Sequence, residues 1–350
     1  MSRPGALFLS EVRGQPHALR RLLEHADDYG AVAAEIARRS PPVIRLVGHG
    51  SSDAAASYGV YAFGVLSGRT AVRDSISLTV YYDAGIDVSN SVVIALSQSG
   101  RTQDVVEYVA RMGARGAFTV ALTNDPRSAL ADAADATLPL LAGAERSVAA
   151  SKTYMNQLAS LALLAGGSGG KGGKTVDNLR RVADQMAGML DELGARAAEI
   201  APAFTYVERM FVIGRGFELA TAREVALKLT ETCRLAAEPL TATDLAHGPV
   251  AAIEALFPVW TIASQDATLG AVIEAAARAR SAGATLVASG SAAGKIPDAA
   301  FTLPVPKPPK AAYAPFLSVV AGQLFAAALA RAKGLDADRP AQLTKVTLAQ

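Results

Sequence analysis

Ser97-Gln98-Ser99-Gly100-Arg101-Thr102 sets three hydroxyls and a glycine between the apolar run Val92–Leu96 and a helical pattern opening at Asp104. The run reads as a buried strand, so the hydroxyls fall where its carboxyl end meets a helix amino terminus. First-turn N–H groups there lack intrahelical partners and the helix dipole presents partial positive charge, an arrangement suited to a phosphate monoester. A single hydroxyl would be an ordinary helix cap. Three in so short a stretch point instead to an anion site.

A second group lies in Arg223-Glu224-Val225-Ala226-Leu227-Lys228-Leu229-Thr230-Glu231-Thr232. Helical spacing puts Glu224, Lys228 and Glu231 on one face, as in many solvated salt-bridge faces. Two features favour chemistry instead: the helix follows a Gly214-Arg215-Gly216 turn, and the loop ending His247-Gly248-Pro249 supplies a histidine downstream. His17 and His25 read as surface residues, and His49 as lining a glycine turn. No histidine pair has ligand spacing with an acid, so no metal is expected. Cys233 reads as packing. Neither Ser52 nor Ser99 sits in a Gly-x-Ser-x-Gly elbow, which disfavours hydrolase chemistry. Gly48-His49-Gly50 lacks the third glycine of a dinucleotide fingerprint, Asp53 standing there, so no nicotinamide cofactor is expected.

The elements that must position these residues occur twice. Val43–Val47 followed by Gly48-His49-Gly50-Ser51-Ser52 recurs as Met210–Ile213 followed by Gly214-Arg215-Gly216. Ser97-Gln98 recurs as Ser264-Gln265, and Thr137-Leu138-Pro139 as Thr302-Leu303-Pro304, in the same order and at nearly constant spacing. Short apolar runs alternate with helical patterns in each copy, which implies an α/β fold with a parallel sheet covered on both faces. In such sheets ligands collect beyond the strand carboxyl ends, where the serine loop falls. Gly166–Lys174 reads as a flexible linker, with helical spacing from Val176 to about Ala198 and the two copies meeting near residue 190.

The 350 residues allow two domains, and 51% hydrophobic with 19% charged residues describes a well-buried globular chain. A net charge of +2 without a basic run interleaved with aromatics argues against nucleic acid as partner. One cysteine excludes an intrachain disulfide, and Met1–Gly5 lacks a leader pattern, so a cytoplasmic protein is expected. Leu317–Ala330, interrupted by Gln323 and followed by Arg331, reads as a core helix too short to span a bilayer.

From about residue 8 onward the chain resembles the isomerase half of glucosamine-6-phosphate synthase, a tandem pair of sugar isomerase (SIS) domains. The resemblance rests on Gly48–Ser52, Ser97–Thr102, Val148-Ala149-Ala150-Ser151-Lys152, Ala226–Glu231, His247-Gly248-Pro249 and the tail Asp338–Lys345. It implies an N-terminal helical lead-in over 1–30, SIS domains over 31–165 and 191–335, a glycine-rich linker and helix over 166–190, and a tail over 336–350 that closes the active site. It further implies that Ser52, Ser97, Gln98, Ser99 and Thr102 bind a sugar phosphate and that Val148 contacts the sugar through its backbone. Glu231 would move a proton between C1 and C2. His247, supplied by the neighbouring subunit of a homodimer, would open the ring. Lys228 and Lys345 would lie near the sugar carbons, Lys345 able to form an imine with the open-chain ketose. Arg101 and Thr243-Asp244 depart from the synthase pattern, and nothing here matches the amino-terminal cysteine of its glutaminase. The expected activity is therefore isomerisation and deamination of glucosamine 6-phosphate or a close relative, without cofactor. The alternatives are a non-catalytic sugar-phosphate-binding regulator and a glutaminase-less aminotransferase running in reverse.

Overall fold

The computed structural model describes residues 4–345. In chain order the first elements are α1 (Ala6–Arg13), α2 (Gln15–Leu23), α3 (Ala26–Arg39), β1 (Ile44–Val47), α4 (Ser51–Ala62), β2 (Ala71–Arg73) and α5 (Ile76–Val80). Then come β3 (Val92–Ser97), α6 (Gln103–Ala114), β4 (Phe118–Thr123), α7 (Ala129–Ala133), β5 (Ala136–Pro139), α8 (Lys152–Ser168) and α9 (Gly172–Ile200). The remainder is β6 (Arg209–Gly214), α10 (Glu218–Cys233), β7 (Ala236–Thr241), β8 (Pro258–Ile262), α11 (Leu269–Ser281), β9 (Thr285–Gly290), β10 (Phe301–Pro304) and α12 (Ala314–Ala332). The chain divides into a first unit of His17–Glu145, Lys152–Arg180 and the tail from Thr344, and a second of the residues up to Pro16, Arg146–Ser151 and Arg181–Leu343.

The first unit holds a five-stranded sheet in the order β2-β1-β3-β4-β5, every pairing parallel. The central strand β3 is buried along its whole length, which is why it reads as an unbroken apolar run rather than an alternating one. Strand order reverses between β1 and β3, and the two loops leaving that point are Gly48–Ser52 and Ser97–Thr102. Helix α8 is buried on nearly all sides, and several of its polar side chains donate to neighbouring groups. Asn156 Nδ2 donates to the carbonyls of Ala18 (3.0 Å) and Leu140 (2.7 Å), and Ser160 Oγ to the Tyr29 hydroxyl (3.0 Å).

The second unit repeats the plan. Its sheet runs β10-β9-β8-β6-β7, all parallel, the same order within the copy, with β8 fully buried at the centre. The duplication read from the landmarks is thus a duplication of topology. Helix α1 belongs to this unit, where the tail caps it. Gly5 N–H donates to Asp336 Oδ1 (3.0 Å), Leu7 N–H to Asp338 Oδ2 (3.1 Å) and Phe8 N–H to Asp338 Oδ1 (2.7 Å).

Two expectations change. The glycine-rich stretch is not a flexible linker: its first residues finish α8, a short turn follows, and Gly172 opens α9. At Gly169 an added Cβ would overlap the Leu66 carbonyl and lie 2.8 Å from Ser67 Cα, and the Lys171 ammonium donates to that same carbonyl at 2.8 Å. These glycines serve close backbone packing. The apolar stretch near the end is also longer than expected. Ala311–Ala332 is long and apolar enough to cross a membrane, yet 89% of its apolar window is buried inside the protein. Gln323 does not interrupt it, because its Oε1 accepts from Gln15 Nε2 at 2.8 Å in the core of the second unit.

Candidate active site

The serine loop of the first unit is built by its own backbone. Gly100 N–H donates to Ser97 Oγ (3.1 Å) and Arg101 N–H to Ser99 Oγ (3.3 Å), closing two consecutive serine turns. Gly100 has φ +63°, and a Cβ there would overlap Ser128, which caps α7 by accepting from Ala131 N–H (3.4 Å). Thr102 takes the N-cap position of α6 in extended conformation, but its side chain makes no capping bond and lies 3.5 Å from Ser97 Oγ. The first-turn N–H groups and the Thr102 hydroxyl thus face the loop, as an anion site requires. Ser52, buried at the start of α4, accepts from Gln157 Nε2 at 2.8 Å. Across the switch point His49 Nε2 lies 2.8 Å from Asp104 Oδ2, joining the two loops.

Gln98, Ser99 and Arg101 line a cavity of about 200 Å3 with Asn124, Asp125 and Lys345. The tail lysine is therefore brought to the serine loop. Arg101, the departure from the synthase pattern, lies 3.5 Å from Asp125 at the solvent edge.

In the second unit Lys228 is fully buried on α10, its ammonium 3.6 Å from Glu224 Oε1 and in direct contact with Glu231 Oε2. A buried ammonium is retained only where carboxylates accompany it, so this is no solvated face. Glu224 is buried too, whereas Glu231 keeps a side-chain exposure of 21%. Cys233 is buried as expected, donating to the Ala326 carbonyl (3.3 Å), and burial pushes its thiol up to about 11. His247 is exposed in a 3-10 turn, followed by Gly248 at φ +141°. Val148 N–H donates to the Asp338 carbonyl (3.1 Å).

The SIS domain matches residues 39–166 and 204–332, one copy in each half. The chain belongs to the SIS-domain family. It is 33% identical over 351 residues to glutamine–fructose-6-phosphate aminotransferase (isomerizing) of Aeropyrum pernix, covering 97% of this chain and 56% of that protein. It thus spans little more than half the length of that relative. Among solved structures, a provisionally assigned phosphosugar isomerase of Silicibacter pomeroyi DSS-3 is similar with a TM-score of 0.85 and 32% identity, over 95% of this chain and 99% of that one. The C-terminal domain of glucosamine-fructose-6-phosphate aminotransferase from Francisella tularensis shares the fold with a TM-score of 0.87 and 24% identity, over 95% and 98%.

The two SIS domains differ at the switch point. Where the first has Ser52 opening α4, the second has Glu218 opening α10, fully buried. Its carboxylate accepts from Thr221 (2.5 Å), from Ser318 on α12 (2.7 Å) and from Ser264, the counterpart of Ser97. Burial pushes the Glu218 carboxyl above its ordinary range, the hydroxyl donors oppose that, and Asp266 adds to it. The loop serine of the second domain is therefore already bound to a resident carboxylate. Asp266 itself faces Thr268, accepting from its N–H and its hydroxyl at 2.7 Å each. Sequence reasoning passed over Glu218, Gln157, Asp104 and Glu145. For Glu218 the signal was available, because the internal repeat sets it beside Ser52.

Proposed function

We propose that this SIS protein is a phosphosugar isomerase/deaminase that converts glucosamine 6-phosphate, or a close relative, to the ketose 6-phosphate and ammonia. The observation that carries the reading is the serine loop. Thr102 stands at the amino terminus of α6 with its hydroxyl not engaged in capping, directly after two serine turns and beside a cavity that also presents Lys345. A phosphate dianion matches that combination of hydroxyls, unpaired N–H groups and an ammonium. The family relatives, named for chemistry on fructose 6-phosphate, support the same substrate class.

In this proposal Ser52, Ser97, Gln98, Ser99 and Thr102 hold the phosphate. His247, from the neighbouring subunit of a homodimer, opens the ring, so that O5 gains a proton and C1 becomes an aldehyde. Glu231 as carboxylate takes the proton from C2 and returns it to C1, while O1 gains a proton and the C2 amine loses one, which turns the aldehyde and C2 amine into a C1 hydroxyl and a C2 imine. Water adds to C2 and ammonia leaves, giving the ketose. Lys228, in direct contact with Glu231, holds that carboxylate in place on α10. Removing such an acid–base group lowers turnover by about 10²–10⁴-fold.

The test is direct. The protein is incubated with glucosamine 6-phosphate, and free ammonia and fructose 6-phosphate are assayed for the parent and for Glu231→Gln. Release by the parent with loss in the variant supports the reading. Tight binding without turnover of any aminosugar phosphate would replace it with the regulator reading.

A further inference from the structure

The tail brings a basic side chain to the cavity of the first SIS domain, and a buried acid meets it there. Lys345 Nζ lies 3.1 Å from Glu145 Oε2, and the Glu145 side chain is 0% exposed against 25% for Lys345. The same carboxylate accepts from the Thr153 N–H (3.1 Å) and the Thr153 hydroxyl (2.6 Å) in the first turn of α8. Capping explains why an acid stands at this helix start. It does not explain why the acid is buried against the tail. A carboxylate removed from water needs a counter-charge close by, and Lys345 supplies one. On its other side Lys345 joins Gln98, Ser99 and Arg101 around the cavity.

We propose that Glu145 is the positioning residue that docks the C-terminal segment at the serine loop, gripping it through Lys345. The lysine then enters the site as a held ammonium, with its charge and N–H donors directed by Glu145. What the lysine meets in the cavity rests on the phosphosugar reading above; the docking itself does not.

Trypsin reads the docking without any substrate. Arg339 is followed by Pro340, so within 336–350 the bond after Lys345 is the one trypsin cleaves. Cleavage requires the lysine side chain to enter the protease, which the Glu145 contact prevents. Glu145→Gln keeps the shape and still accepts from Thr153, but lacks the charge. Release of Val346–Gln350, followed by mass spectrometry of folded protein, is expected to rise about tenfold or more, the scale of losing one partner of a buried pair. Thr153→Val, which disturbs only the cap, should leave release within about twofold. Equal release from Glu145→Gln and the parent overturns the proposal, as does equal acceleration by Thr153→Val. Should Glu145→Gln not fold, Glu145→Asp, which keeps the charge and shortens the reach, decides by the same rate.

Kinetics supply the second arm. On the phosphosugar that the parent turns over, Glu145→Gln should lower kcat/KM about tenfold in the parent background and less than about twofold when Lys345 is already Gln. Independent, multiplying losses would show that Glu145 does not act through Lys345. A parent inactive on every phosphosugar removes the functional reading, and the tryptic arm still judges the docking.

Discussion

Gly100→Ala tests whether the serine loop is shaped by the packing around it. Gly100 has φ +63°, where a side chain costs about 1–2 kcal/mol. The new methyl would also overlap Ser128, 3% exposed, and lie 2.9 Å from Thr123 Oγ1. Forcing a methyl into a filled interior adds about 1–3 kcal/mol, so the local cost is about 2–5 kcal/mol. Ser128→Gly removes the obstructing atoms, and at a helix N-cap glycine costs only about a few tenths of a kcal/mol relative to serine. The double variant should therefore keep the backbone penalty, about 1–2 kcal/mol, together with the close approach to Thr123 Oγ1. Hydrogen exchange of peptides covering 97–102 and 128–133 measures this locally, since every ~1.4 kcal/mol of lost protection is tenfold in exchange. Gly100→Ala should accelerate exchange there by about 30-fold or more, and Ser128→Gly should restore a large part of it. A Gly100→Ala protein that exchanges like the parent would refute the packing argument. A double variant as labile as the single would place the strain somewhere other than Ser128.

Further outcomes are expected at both domains. Ser99→Ala should weaken sugar-phosphate binding by about 1.5–3 kcal/mol in calorimetry while leaving thermal unfolding unchanged, the scale of one hydrogen bond to a charged group. Calorimetry should also find one phosphosugar site per chain, because Glu218 already occupies the loop serine of the second domain. Mixing inactive Glu231→Gln and His247→Ala proteins should restore part of the turnover if one subunit lends His247 to its neighbour; no recovery despite proven subunit exchange would place both residues in one chain's site. For Glu218, burial raises the folded carboxyl above its unfolded value, so its stabilising contribution is full below the ordinary carboxyl range and is lost as pH rises through the raised value. Urea unfolding should accordingly show Glu218→Gln gaining on the parent as pH increases, and a pH-independent difference would contradict that sign.

Much of the architecture was legible because it is local or periodic. The run Val92–Leu96 is apolar at every position because β3 is covered on both faces, and the hydroxyls follow because the loop leaves the sheet there. Helical spacing alone gathered Glu224, Lys228 and Glu231 on one face. The burial of Glu224 and Lys228 was not legible, since it depends on what packs over α10, and spacing is the same for a solvated face and a buried one. The glycine-rich stretch misled because its composition matches that of a flexible linker. Only the neighbouring Leu66 carbonyl reveals that the glycines are there for close approach.

The hardest part to read was the polar pairing that separates one copy of the repeat from the other. In the first domain a long amide on α8, Gln157, reaches a short hydroxyl, Ser52, at the switch point. In the second the lengths are exchanged: a short hydroxyl on α12, Ser318, meets a long carboxylate, Glu218. The repeat sets Gln323, not Ser318, at the place of Gln157, and Gln323 instead accepts from Gln15, yet the strand order survives in both copies. The chemical consequence is opposite. Ser97 Oγ accepts from the Gly100 N–H of its own loop, whereas a carboxylate at the start of α10 takes the hydroxyl of Ser264 for itself. Hydrophobic pattern therefore determines that there are two sheets with two switch points. Under the proposed function, the Glu218 carboxylate that holds Ser264 leaves the first switch point as the one open to a phosphate.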